Sequence, residues 1–196
     1  TDCQLRSYPN VMSQRNLANE ISDSVVEALM SATEKHYSLV QRYYRLKMKL
    51  LKLDKLYDYD RYAPISTETP KCDWPTAREI VQESYDSFSK EGGAIIRQFF
   101  EKNWIDADVR PGKRGGAFSA STVPSVHPYI LLNWTDKLRD VSTMAPELGH
   151  GIPQYLSRKQ TYLNFHPPLT IAETALVFVE FLTFAPVMET PGVPDA

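Results

Sequence analysis

Residues 143–159 read TMAPELGHGIPQYLSRK. Glu147 and His150 stand three apart, a spacing that a helix brings onto one face. It is half of the H-E-x-x-H pattern, in which two histidines one turn apart grip a metal ion and a glutamate between them holds its water. The other half is missing. The pattern places its first histidine at residue 146, and residue 146 is proline. Glu-x-x-His also arises by chance in ordinary helices. Two readings therefore stand on these residues alone: a metal site short of one ligand, or a structural histidine on a helix face.

The whole chain narrows the setting. With 196 residues, 42% of them hydrophobic, it can bury a core as one large domain or two small ones. A net charge of −2 gives no global reason to expect nucleic acid or an anionic membrane as partner. No apolar run approaches a membrane-spanning length. The opening TDCQLRSYPN lacks the apolar centre of a signal peptide. Cys3 and Cys72 lie far apart and form no metal or disulfide pattern, so a reducing, cytoplasmic location is the expectation.

Periodicity sets out the elements. Apolar residues at helical spacing run from Ser22 to Leu53, with Ser22 or Asp23 as N-cap and a break near residues 36–38. The second half carries Arg42, Arg45, Lys47, Lys49, Lys52 and Lys55, either a solvated helix face or a basic stripe for RNA. Residues 57–75 are a proline- and turn-rich linker. Helices are predicted over 76–89 and 94–102, interrupted by Gly92-Gly93, with Asp73 or Pro75 near the start of the first. Ile95, Ile96, Phe99 and Phe100 form the buried side of the second. After Trp104 the pattern changes. RPGKRGGAFSAST is turn-prone, and HPYILLNW (127–134) suits a strand, so a small antiparallel sheet is expected. GKRGG lacks the spacing of a phosphate loop. Helices are predicted again over 138–157 and 170–184, the latter with Thr170 and Glu173 in capping-box positions. Pro146 and Pro153 predict that the first of these is short or bent from about residue 146, which would misplace His150 relative to Glu173. The prolines after Phe184 predict a tail, 185–196, that cannot continue the helix and frays.

Several stretches in one order carry a resemblance. GKRGGAFS, HPYILLNW, LRDVSTMAPELGHGIPQYLSRKQ and LTIAETALVF resemble the oligoendopeptidase F branch of the thimet-oligopeptidase family of zinc metallopeptidases. MSQRNLANEI and RYYRLKMKLLKLDKLYDYDRYAPI look like the stretch just upstream in that family. The resemblance covers about residues 8–184. It implies a fold mainly α with a small antiparallel sheet, a truncated zincin-like α+β catalytic core. Residues 1–103 would be a helical region leading into the catalytic domain. Residues 104–184 would hold the sheet, the zinc helix and the third-ligand helix. The family's N-terminal lobe and C-terminal channel helices have no counterpart in the chain.

Residue by residue, the resemblance makes Glu147 the general base, His150 the second zinc ligand and Glu173 the third. Pro146 stands at the first ligand and Pro153 where this branch commonly has another histidine. Gly116, Ala117, His127 and Tyr129 fall in segments near the cleft, where a strand edge would hold a short peptide by backbone hydrogen bonds. For His127 a turn or surface role stands beside the substrate contact. Glu180, on the same helix face as Glu173, would orient His150 or simply be exposed. His166 would be a replacement ligand or a loop residue. Zinc is the implied cofactor. Proline has no lone pair to offer a metal, so the sequence predicts peptidase activity that is lost or strongly reduced. The alternative is a non-catalytic peptide-binding or structural remnant of the same fold. Self-association through surface bared by truncation is a further expectation.

Overall fold

The computed structural model describes residues 2–65 and 71–188, with side chains through 184. The chain divides into two compact units, Thr1–Glu68 and Thr69–Ala196. The expectation for the tail falls largely outside the described residues.

The first unit holds two short helices, α1 (Asp2–Leu5) and α2 (Ser13–Ala18), which the sequence reading did not place. Two longer helices follow, α3 (Asp23–Lys35) and α4 (Tyr37–Leu50). The expected break falls on His36, whose φ of −102° and ψ of 6° leave the helical region. A 3-10 turn, Asp58–Tyr62, lies within the predicted linker. The Lys47 ammonium is buried and donates to the Arg61 carbonyl at 2.7 Å, tying α4 to that turn.

In the second unit α5 (Trp74–Phe88) begins where Asp73 accepts the Thr76 N–H at 3.0 Å, an N-cap followed by proline in the first turn. In α6 (Lys90–Glu101) the Ser89 hydroxyl caps the Gly92 N–H. Gly92-Gly93 therefore opens this helix rather than interrupting it. Ile95, Ile96, Phe99 and Phe100 form its buried side, as the periodicity predicts.

The sheet is mixed, which corrects the antiparallel expectation. β2 (Phe118–Ala120) pairs antiparallel with β3 (Tyr129–Leu131), and β1 (Ile105–Asp106) adds on the other side of β3 in parallel. The strand order is β1-β3-β2, so HPYILLNW supplies the central strand. Two residues of β1 gave too little pattern to read.

α7 (Leu138–Ser157) and α8 (Leu169–Met188) complete the unit. α8 starts one residue before Thr170, which therefore lies in its first turn instead of capping it. It also continues past Pro186, against the expectation that this proline stops it.

The main correction concerns α7, which runs unbroken through both Pro146 and Pro153. An interior proline costs about 3 kcal/mol. Val141, Met144 and Leu148 are each fully buried, and each such side chain contributes about 1.5–3 kcal/mol, so the packed face outweighs the local penalty. The acceptor that Pro146 abandons belongs to Ser142, which is exposed to solvent that can replace the lost donor. The Tyr85 hydroxyl of α5 donates to the Ala145 carbonyl at 3.0 Å, a buried bond one residue before the proline.

Two glycines let neighbours close on α7. A Cβ on Gly149 would stand 3.1 Å from Val179 of α8, and one on Gly151 would stand 2.7 Å from the Phe99 ring of α6. Phe99 is fully buried and has nowhere to move. Gly151→Ala should therefore lower stability by roughly 1–2 kcal/mol despite the better helix propensity of alanine, measured by urea denaturation. An unchanged or raised midpoint would contradict this packing.

Candidate metal-helix site

α7 and α8 carry the residues singled out in the sequence. His150 lies mostly buried on α7, and its Nε2 stands 4.0 Å from Glu173 Oε2 on α8. The helix that was expected to bend does not misplace them. Two donors on one tetrahedral zinc stand about 3.3 Å apart at ordinary bond lengths, so a small side-chain adjustment would let this pair share an ion. Glu147 is half-buried one turn before His150. Burial, and then the negative charge of Glu173, push its carboxyl above the usual glutamate range.

The donor set stops there. A catalytic zinc takes three protein ligands and an open position for water. His150 and Glu173 supply two. Pro146, buried in α7, supplies none. Among the described residues no group of three His, Cys, Asp or Glu side chains comes together in a metal-binding arrangement. The residues present do not fit a catalytic zinc. His166 is held elsewhere, with Nδ1 at 3.1 Å from the Ser121 hydroxyl and its ring against Phe165. Glu180 is exposed and has no ion pair with His150.

The segments expected near a cleft have other neighbours. Gly116 takes a left-handed φ of +79°, and its carbonyl accepts from the Asn133 side chain at 2.8 Å. Gly116 and Ala117 border a depression of about 270 Å³ shared with Asp140 and Thr143 of α7. His127 stacks flat on Trp104, with ring centres 4.2 Å apart, and leans on Tyr129 at 4.3 Å. Tyr129 is in the central strand, so its backbone is not a free edge.

Of the two edge strands, β1 and β2, it is β2 that lies against α7. Ile130 donates to the Trp104 carbonyl, which turns its backbone toward β1 and leaves Tyr129 and Leu131 to bond β2. Ser119, opposite Ile130, therefore points its backbone outward. Gln154 of α7 meets it there: Ser119 Oγ donates to Oε1 at 2.8 Å, and Nε2 lies 3.4 Å from the Ser119 carbonyl. The sequence reading missed Gln154, although it sits one turn beyond His150 on the same helix face. It also missed Tyr85, for which no local pattern gives a signal.

The helix-borne Glu-x-x-His thus faces a glutamate on the next helix, beside a small mixed sheet. The profile of Peptidase family M3 matches residues 2–190, and the chain belongs to that family. An oligoendopeptidase F homolog of Lactococcus lactis subsp. lactis is 32% identical over 173 residues, which cover 88% of this chain and 29% of the relative. The oligopeptidase PepF of Bacillus subtilis is 29% identical over 88% of this chain and 26% of its own. The chain thus spans under a third of the length of these relatives. In shape, a solved PZ peptidase A with an inhibitor superposes at a TM-score of 0.79 and 23% identity, over 95% of this chain and 34% of that one. That likeness shows the fold.

The raised carboxyl of Glu147 has a consequence for stability. A glutamate whose folded pKa lies above its unfolded value stabilises the fold when protonated, and that contribution is lost as pH rises through the folded pKa. Glu147→Gln should therefore raise the thermal midpoint at pH 7, with the gain fading as pH falls through the raised pKa and gone below the ordinary glutamate value. A gain equal at every pH, or a loss at pH 7, would contradict burial as the cause.

Proposed function

We propose that this chain carries the zinc-helix region of a metallo-oligopeptidase in which proline has replaced the first metal ligand, and that it has lost peptidase turnover or retains very little. The observation that carries this reading is Pro146 itself. It lies inside a continuous helix, one turn before a histidine that already faces the family's glutamate position. On this reading His150 and Glu173 are inherited ligand positions, and Glu147 is an inherited base with no strongly activated water to act on. Loss of a partner that only orients a ligand typically costs about 10–100-fold in metal affinity, and loss of a ligand itself costs at least as much.

Short peptides are the substrate class on this reading. The relatives' names, oligoendopeptidase and oligopeptidase, support it. The Ser119 edge, with Gln154 across its carbonyl, offers little backbone for strand addition, so any retained peptide binding would rest on side chains.

The test is direct. After dialysis against trace zinc, the protein should hold well under one equivalent by atomic absorption and should leave a quenched fluorescent peptide uncut. Stoichiometric zinc together with chelator-sensitive cleavage would overturn the proposal.

A further inference from the structure

Where α5, α6, α7 and α8 meet, the second unit encloses a half-open cavity of about 210 Å³. Its walls are apolar, with Ile95 of α6, Ile152 of α7, and Val179 and Leu182 of α8. Phe88 and Phe178, both well exposed, border it toward solvent, their rings edge to face with 4.8 Å between centres. The polar side chains around it are engaged or turned outward. The Tyr85 hydroxyl donates to the Ala145 carbonyl, the Ser89 hydroxyl accepts the Gly92 N–H, and Glu91 is exposed.

One polar atom differs. Gly149 and Pro153 line the cavity together. Proline carries no N–H, so the Gly149 carbonyl, four residues back, lacks the donor that a regular helix gives it. At Pro146 the same loss falls on Ser142, which is exposed to water. Gly149 is buried. α8 packs so closely on it that a Cβ there would stand 3.1 Å from Val179, which fixes the backbone at this point. A buried acceptor without a donor is destabilising until a donor reaches it.

An apolar cavity of about 150 Å³ in a protein interior takes up benzene. The cavity beside Gly149 has room for a ring with a small substituent, and the carbonyl selects the substituent. We infer that the four-helix cavity is a binding site for a compact apolar molecule with one hydrogen-bond donor, of the phenol class, whose ring packs on Ile95, Ile152 and Leu182 and whose hydroxyl donates to the Gly149 carbonyl. Toluene, of the same shape, would fill the cavity and leave the carbonyl unpaired. The inference does not rest on the metal-site reading, since neither His150 nor Glu173 lines the cavity.

Calorimetric titration of the whole chain with phenol and with toluene tests it. Phenol should bind one-to-one and about tenfold more tightly than toluene, because a site built around a hydrogen bond rejects the analogue that lacks it. Pro153→Ala returns an N–H to the helix, so phenol should lose its advantage while toluene still binds, a change of preference that simple unfolding cannot produce. A free phenol and a tyrosine side chain share this chemistry. N-acetyltyrosinamide that binds with the same dependence on Pro153 would assign the side chain of a peptide, and phenol binding without it would assign a free molecule. Toluene bound as tightly as phenol, no saturable binding of phenol, or a phenol preference that Pro153→Ala leaves unchanged would each overturn the inference.

Discussion

The second unit depends on the packing of α7 against α6 and α8. Every other relation at the candidate site follows from it. Met144, Ala145 and Leu148 are sealed in the core, and Gly149 and Gly151 admit Val179 and the Phe99 ring at distances a side chain would forbid. This packing accompanies an α7 that continues through two prolines. It also sets the rotation of the helix, and so the direction in which His150 faces. Apolar burial of α7 against α8 accompanies the 4.0 Å approach of His150 to Glu173.

On the proposed reading, that separation of scaffold from chemistry explains how a ligand could be lost without loss of the fold. Proline in a helix interior is a local defect, and its cost is bounded at about 3 kcal/mol. Burial of the α7 face is non-local and larger. The Tyr85 hydroxyl, donating to the carbonyl just before Pro146, adds a bond from another helix at the point where the helix gives one up. On the same reading, what proline removes without compensation is the imidazole nitrogen that a metal would need.

Much of this was legible in the sequence. The bounds of α7 matched the predicted span, the break fell within the expected residues 36–38, and the buried side of α6 followed from apolar spacing. The resemblance placed Glu147, His150 and Glu173 on adjacent helices. The effect of Pro146 was not legible, because local helix rules take no account of the tertiary contacts that override them. The parallel strand β1 was too short to show a period, and it exists because β3 offers a free side to the Trp104 carbonyl. Gln154 was readable from its place one turn past His150. Tyr85 was not, since its bond spans 60 residues of sequence.

The first unit follows a different logic. There the apolar stripe is regular and readable in the sequence, but it remains exposed in the structure. The apolar face of α7, by contrast, is buried within its own unit.

The central claim is that this chain lost a metal donor and kept the geometry around it. Calorimetric titration of zinc into the Pro146→His protein, beside the unaltered one, tests it most directly. The account predicts one-to-one binding in the variant, tighter by at least about 10–100-fold, with the imidazole completing the pair of His150 and Glu173. Equal zinc affinity in the two proteins would contradict it, because α7 would then not hold residue 146 where a ligand is required.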